Sequence, residues 1–116
     1  MTTRSIHYTS RAYEDLSSLL MWLADERGLE AAEKVNAMLE RAISSLARMP
    51  DRGRMVPELR DRGYPDHREV IVRPYRIVYH PVGRQVWLVA ILDGRRRVDQ
   101  LLLERARRLG PGMMEP

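Results

Sequence analysis

The stretch from Gln85 to Leu92 reads QVWLVAIL and is apolar at almost every position. A strand with one solvated face alternates apolar and polar residues, whereas a strand buried on both faces reads as a continuous apolar run. This run therefore has to be covered on both sides. We predict that it forms the central strand of a small antiparallel sheet, and this strand limits the folds that the other residues can build.

Shorter strand patterns accompany this run. Residues 4–9 (RSIHYT) suit one short strand, residues 67–72 (HREVIV) are rich in β-branched side chains, and residues 75–80 (YRIVYH) alternate well. Arg73–Pro74 separates the last two of these segments. Residues 81–84 (PVGR) suit a hairpin connection into the apolar run.

Two helices are predicted in the first half of the chain. Ser10 suits the N-cap of the first helix, and Gly28 ends it because glycine tolerates a left-handed cap. The second helix runs from about Glu30 to Arg48, and Pro50 ends it. So short a connection makes the pair an antiparallel hairpin, whose apolar stripes are Ala12, Leu16, Leu19, Leu20 and Leu23, and Ala32, Val35, Leu39, Ala42, Ile43 and Leu46.

The other residues complete one domain over residues 1–110. Residues 51–66 hold two Gly, two Pro and many charges, which predicts a loop. Asp93–Gly94 marks a strand-to-helix exit, because residues 98–109 have helical spacing. Residues 111–116 are predicted to be a disordered tail. The predicted fold class is α+β: an N-terminal strand and a helix hairpin packed on a small antiparallel sheet, with a short C-terminal helix.

Composition excludes several classes of site. The 116 residues include no Cys, so a disulfide framework and a thiolate metal site are excluded. The three His lack metal-ligand spacing and the chain has no phosphate-binding Gly loop, so we expect neither a metal nor a cofactor. No segment resembles a signal peptide or a membrane span, which predicts a soluble, cytoplasmic protein without membrane contact.

Charge is distributed unevenly along the chain. Residues 1–50 carry six basic and seven acidic groups, whereas residues 51–116 carry 14 basic and nine acidic groups. Lys34 is the only Lys, and the guanidinium group of Arg suits phosphates and carboxylates. The basic second half suggests an anionic partner, either nucleic acid or an acidic protein segment.

Strand alternation places Arg76 on the sheet face opposite Ile77 and Tyr79, which we expect the helix hairpin to cover. The open face would then present a basic contact surface for a target. In the alternative interpretation Arg76 only pairs with a neighbouring carboxylate, Asp93 or Glu69. The predicted contact surface consists of five arginines: Arg73, Arg76, Arg95, Arg96 and Arg97.

Four segments carry a family resemblance: residues 56–59 (VPEL), 67–70 (HREV), 73–79 (RPYRIVY) and 89–96 (VAILDGRR). In this order, and behind the N-terminal strand and helix hairpin, they make nearly the whole chain resemble the RelE/ParE toxin superfamily of type II toxin–antitoxin systems. The ParE branch is the most similar. The resemblance implies a helix hairpin packed on a twisted antiparallel sheet.

The resemblance implies one of two activities. ParE-like members poison DNA gyrase by stabilising a cleaved DNA complex, whereas RelE-like members cleave mRNA in the ribosomal A site. The resemblance implies that Arg76 and Arg96 correspond to two arginines that RelE-like enzymes use around the phosphate. The RelE-like lysines and C-terminal tyrosine have no counterpart, so His67, Glu69 or His80 would have to act as acid or base. The non-nuclease, gyrase-directed activity is therefore preferred.

The resemblance also implies an antitoxin partner, whose C-terminal segment wraps the toxin and folds on binding. Such a segment needs exposed apolar anchors, and the candidates are Leu20, Trp22 and Leu102. Trp22 is otherwise predicted to pack in the core. A third possibility is a non-toxic module that only binds antitoxin.

Overall fold

The computed structural model describes residues 3–109, so the predicted tail at 111–116 lies outside the described residues. A five-stranded sheet and four helices follow in the order β1 (Ser5–Tyr8), α1 (Ser10–Arg27), α2 (Leu29–Ser45), β2 (Arg54–Met55), α3 (Pro57–Arg60), β3 (Arg68–Val72), β4 (Tyr75–Val82), β5 (Gln85–Asp93) and α4 (Asp99–Leu109). The predicted α+β class, with a helix hairpin beside a small sheet, is confirmed.

The sheet has the order β1-β5-β4-β3-β2. Strand β5, the apolar run, is internal as predicted, but β4 and not β5 is the middle strand. Strand β1 runs parallel to β5, whereas all other pairs are antiparallel, so the expectation of a purely antiparallel sheet is wrong at this edge. Nothing local in the sequence sets the direction of a pairing between residues about 80 positions apart.

Helices cover both faces of the sheet. Ile77 and Tyr79 belong to the core under α1 and α2, as predicted. Val78 points to the other face, where it packs with Leu59 of α3 and Leu102 of α4. That second face was expected to be open, and the expectation is wrong here because α3 and α4 bury an apolar cluster on it.

The helix ends differ slightly from the prediction. Thr9, not Ser10, is the N-cap of α1: its hydroxyl accepts from the Ala12 N–H at 3.1 Å and donates to the Leu88 carbonyl at 2.9 Å. Gly28 ends α1 with a φ of 94°, as expected of a glycine cap. Helix α2 ends at Ser45, and a turn replaces its predicted last residues.

Two further predictions are corrected by the structure. The predicted loop at residues 51–66 contains β2 and α3, and Pro57 begins α3 at a position where its missing N–H costs nothing. Trp22, which was predicted to pack in the core, is 52% exposed because it lies on the outer face of α1.

Within residues 3–109, no helix combines the length and the hydrophobicity that crossing a bilayer requires.

A buried ion pair attaches α4 to the rest of the fold. Arg105 donates to both carboxylate oxygens of Asp15 in α1, at 2.6 and 3.1 Å, and to the Val89 carbonyl of β5 at 3.0 Å. Asp15 also accepts from the Ile91 N–H at 3.0 Å. Three elements distant in sequence therefore meet at one guanidinium group.

Replacing Arg105 with Ala should lower the free energy of unfolding by about 3 kcal/mol, because it leaves the carboxylate of Asp15 buried without its cation. Urea denaturation measures the change. Arg108→Ala is the matched control on the same helix: among residues 3–109 the ion-pair partner of Arg108 is the exposed Glu104, so its loss should cost less than about 0.5 kcal/mol. Equal losses in the two variants would contradict the anchoring role.

Candidate functional site

An open groove of about 660 Å³ lies where α3, the β3–β4 turn and the turn after β5 come together. Two short connections position its side chains. Pro57 begins α3, and Gly94 begins the turn that follows β5. The groove combines cationic, anionic and apolar side chains, and its lining consists of Arg54, Pro57, Glu58, Ile71, Arg73, Pro74, Arg76, Gly94 and Arg95.

Arg76 is held between two carboxylates in this groove. Its Nε donates to Glu69 at 2.6 Å, and its two terminal nitrogens donate to the two oxygens of Glu58, each at 2.7 Å. The Arg76 residue is only 8% exposed. Glu69 is fully buried and accepts in addition from Arg54 at 2.7 Å. Charged hydrogen bonds therefore occupy both the Nε side and the fork of Arg76.

These contacts set the protonation states of the network. Hydrogen bonds from Arg76 lower the pKa of Glu58 below its usual value, although partial burial opposes this. The carboxylates of Glu58 and Glu69 in turn raise the pKa of Arg76. Glu58 is thus a weaker base than an ordinary carboxylate, and Arg76 remains a permanent cation that cannot supply a proton.

Gly94 allows the Arg76 side chain to cross the end of β5. A Cβ atom at residue 94 would lie 3.0 Å from the Arg76 Cγ and 3.0 Å from the Pro74 carbonyl oxygen. The Gly94 N–H donates to that same oxygen at 2.7 Å. Glycine therefore follows Asp93 because a larger residue would push the chain away from Arg76.

The arginines predicted as a contact surface separate into three environments. Arg73 and Arg95 are exposed and line the groove, whereas Arg76 is buried in its paired network. Arg95 pairs with Asp93 at 2.6 Å, and this contact lowers the pKa of Asp93 to about 2. The remaining two, Arg96 and Arg97, are exposed on the same turn but do not line the groove.

Arg76 pairs with Glu69, as one of the two interpretations predicted, and Asp93 is not its partner. Glu69 is not positioned as a catalytic base, because its side chain is completely buried beneath two guanidinium groups. His67 and His80 are not in the groove; they line a separate pocket. His67, Glu69 and His80 were predicted to replace the missing acid–base groups. None of the three is positioned to act as an acid or a base in the groove.

Sequence reasoning missed the role of Glu58 and Arg54. Both lie in the segment that was interpreted as a loop, although the Pro57–Glu58 pair is a typical helix start with an acid in the first turn. That signal predicts the short helix. It does not predict the pairing with Arg76, which depends on how α3 packs against β4.

The candidate antitoxin anchors differ in exposure. Leu20 is half-buried and Trp22 is 52% exposed, so both present surface to a partner. Leu102 is fully buried between the sheet and α3, and it is therefore corrected to a core residue. Other large exposed apolar side chains on the hairpin are Tyr13, Met21, Leu29 and Met38.

Comparison with known proteins identifies the family. The family model described as the ParE toxin of the type II toxin–antitoxin system parDE matches residues 6–98. The chain belongs to the ParE toxin family. The match includes the helix hairpin, the groove and all five strands apart from the first residue of β1, and it ends just before α4.

A curated relative agrees with this assignment. The chain is 35% identical over 93 residues to a protein named Toxin RelE1 of Caulobacter vibrioides, which covers 79% of this chain and 95% of that relative. The family model and the relative thus carry the names of the two branches of the superfamily. They support a toxin of the RelE/ParE group without separating the branches.

Solved structures share the ParE-type fold. A chain from the chromosomal ParDE system of P. aeruginosa superposes with a TM-score of 0.63 at 20% identity, covering 77% of this chain and 94% of that chain. A chain from the RelBE2 toxin–antitoxin complex of Mycobacterium tuberculosis gives a TM-score of 0.58 at 20% identity, covering 80% and 93%. At this identity the two structures establish the fold alone.

A second pocket of this ParE-type domain, about 520 Å³ in volume, contains two of the three histidines. The rings of His67 and His80 stack with centroids 4.5 Å apart and an interplanar angle of 1°. Tyr64 meets the His67 ring edge-on at 5.9 Å. Burial and the neighbouring His80 lower the pKa of His67 to about 4.

Acid should destabilise the fold through His67. The unfolded chain binds a proton near pH 6.5 that the folded chain excludes down to about pH 4, so the free energy of unfolding falls as the pH falls through this window. The full contribution is about 3 kcal/mol. It should be present above pH 6.5 and lost near pH 4.

Urea denaturation between pH 7.5 and about 4.5 checks this, comparing the wild-type chain with His67→Phe, which keeps a stacked ring without a titrating group. As the pH falls, the free energy of unfolding of the wild-type chain should decrease more than that of His67→Phe. His7→Phe is the control, because His7 stacks on Trp87 outside the pocket. A parallel pair of curves for wild type and His67→Phe would contradict the prediction.

Proposed function

We propose that this chain is the toxin of a ParE-like toxin–antitoxin pair, that it stops growth by poisoning DNA gyrase, and that a cognate antitoxin neutralises it. The ParE family match and the preferred branch of the sequence resemblance support a gyrase target. The observation that carries the proposal is the pairing of Arg76 with Glu58 and Glu69, because it removes the central cation that phosphate chemistry in the groove would need.

The described residues of the groove supply cations for RNA cleavage but no group well matched to its acid–base steps. Cleavage by the 2′-hydroxyl requires a base, cations around the phosphate and an acid for the leaving oxygen. None of the described residues that line the groove is a Lys, His or Tyr. Glu58 has a lowered pKa and Arg cannot donate a proton, so neither matches a catalytic pKa near the working pH. These features favour binding over proton transfer.

The exposed arginines offer a contact surface for the target. Arg73 and Arg95 at the groove and Arg96 and Arg97 on the adjoining turn are solvent-accessible. Phosphates of gyrase-bound DNA or acidic residues of the enzyme would suit these guanidinium groups. The contact should weaken as salt concentration rises.

The antitoxin would bind apolar side chains of the toxin as well as its arginines. The exposed apolar side chains of α1, including Met21 and Trp22, suit the anchors of a segment that folds on binding. Acidic antitoxin residues would pair with the arginines of the groove. Leu102 is unsuitable as an anchor, because no part of it is exposed before binding.

Induction of the chain in bacteria without antitoxin should stop DNA synthesis before protein synthesis and start a DNA-damage response. Pulse-labelling of both syntheses measures the order. Replacing Arg96 and Arg97 with Ala should raise the toxin level needed for arrest by about tenfold, equivalent to roughly 1.4 kcal/mol of target binding. Replacing the exposed Arg107 and Arg108 with Ala is the matched control and should leave it unchanged.

Arrest of protein synthesis first would contradict the gyrase target. Continued growth with normal synthesis of both polymers would instead indicate a non-toxic module that binds antitoxin. In both cases the ParE-type fold would stand, because it does not depend on the target.

The RelE-like alternative remains a second candidate because the carboxylate of Glu58 and several arginines share one open groove. If the chain cleaves mRNA, purified protein should cut ribosome-bound message, and Glu58→Gln and Arg96→Ala should each reduce the rate by at least about tenfold. Arg76→Ala tests the same mechanism once circular dichroism confirms that the variant folds. Absence of cleavage by the wild-type chain, or unchanged cleavage by all three variants, would exclude this mechanism.

A further inference from the structure

The second pocket has no role in any of the proposed activities. It lies between residues 63–67, the end of β4 and the last turn of α4, and it shares no lining residue with the groove. Its walls are mostly apolar, and its polar lining residues are Tyr64, Asp66, His67 and His80. The lining consists of Gly63, Tyr64, Pro65, Asp66, His67, His80, Pro81, Val82, Ala106 and Leu109.

Three imidazole nitrogens at this pocket, two of His67 and one of His80, are buried without a hydrogen-bond partner among the described residues. His67 is 97% buried, being only 3% exposed. Within residues 3–109, neither ring nitrogen of His67 nor Nδ1 of His80 has a hydrogen-bond partner. A buried, unpaired nitrogen destabilises a fold, and a phenyl ring would fill the same space without that penalty. The arrangement lowers stability for no packing gain, which is typical of a functional site.

A metal ion does not fit this pair. The lone pairs of an imidazole lie in the plane of its ring, and the rings of His67 and His80 are parallel to within 1°. As stacked, their lone pairs lie in two parallel planes and do not converge on one ion, and two imidazoles alone are too few ligands for a zinc site. Among residues 3–109, no group of three His, Cys, Asp or Glu side chains is arranged to hold a metal.

An amphipathic ring fits the pocket better. The prolines, Val82, Ala106 and Leu109 suit an apolar, planar body, and the volume is in the range of small-ligand sites. A neutral imidazole offers one donor and one acceptor, and a rotation about its soft χ2 torsion on ligand binding would bring a buried nitrogen to the pocket surface. The ligand should therefore carry a hydrogen-bonding group on an aromatic ring.

We propose that this pocket binds an aromatic ring that bears a hydrogen-bonding group, of the phenol or indole class, and that His67 and His80 provide its polar contacts. The ring could belong to a small molecule or to a Tyr or Trp side chain of a partner protein, since both present the same chemistry. The proposal does not depend on whether the toxin acts on gyrase or on mRNA, because the groove and the turn arginines are elsewhere.

The test uses the full-length chain with 15N-labelled His and two matched probes. The first is p-cresol, the side chain of Tyr, and the second is toluene, which has the same ring without the hydroxyl. Titration of p-cresol should shift the ring nitrogen signals of His67 and His80 in a saturable manner. Toluene should bind at least about tenfold more weakly, because it leaves the nitrogens unpaired.

Three variants separate the pocket from other effects. His67→Phe should reduce the preference for p-cresol over toluene, and Ala106→Trp should fill the pocket and abolish the binding of both probes. His7→Phe, which changes the histidine outside the pocket, should bind both probes as the wild type does. If Ala106→Trp fails to fold, the comparison of the two probes in His67→Phe still decides.

The source of the ring is tested with N-acetyl-tyrosinamide, which adds backbone atoms to the phenol. Binding comparable to that of p-cresol would indicate a partner's side chain, whereas binding of p-cresol alone would indicate a small molecule. The proposal is overturned if p-cresol produces no saturable shift at His67 and His80. Equal affinity of the wild-type chain for p-cresol and toluene would overturn it as well.

Discussion

The guanidinium group of Arg76 connects more of this structure than any other polar group in the groove. Buried charge is tolerated only when it is paired and hydrogen-bonded, and Arg76 finds its carboxylates on α3 and β3. Glu69 then binds Arg54 of β2, so one network joins four consecutive elements. The segment between α2 and β3 has little other regular structure. Its course over the sheet depends on these ion pairs, on the burial of Leu59 and on the Tyr79 hydroxyl, which accepts from the Gly53 N–H at 3.0 Å and donates to the Pro50 carbonyl at 2.7 Å.

The same network limits the chemistry that the groove can perform. A cation that already binds two carboxylates would have to break short charged hydrogen bonds before it could bind a phosphate. Arg96 and Arg97 on the neighbouring turn need not leave a buried network before they bind a phosphate, because both are exposed. This structure thus separates two roles for arginine. The buried one holds the groove together, and the exposed ones can meet a partner.

The sequence predicted well the features that local patterns encode. Helical spacing and Gly28 predicted the hairpin, and the apolar run predicted β5, because both depend on residues close in sequence. Long-range pairing was not encoded in this way: the parallel direction of β1 and the partner of Arg76 arise only when distant elements pack. Trp22 was misplaced because its large apolar side chain resembles a core residue, whereas the smaller Ala12 and Leu23 form the buried stripe.

Helix α4 shows why matching a family does not determine every surface. The family match ends at Val98, and α4 begins at the next residue. This helix covers the apolar face of β5 and provides two walls of the histidine pocket through Ala106 and Leu109. Arg105 holds it against α1 and β5 through Asp15. A relative that shares the groove but lacks this ion pair could place its last helix differently, and the pocket would change while the groove remained.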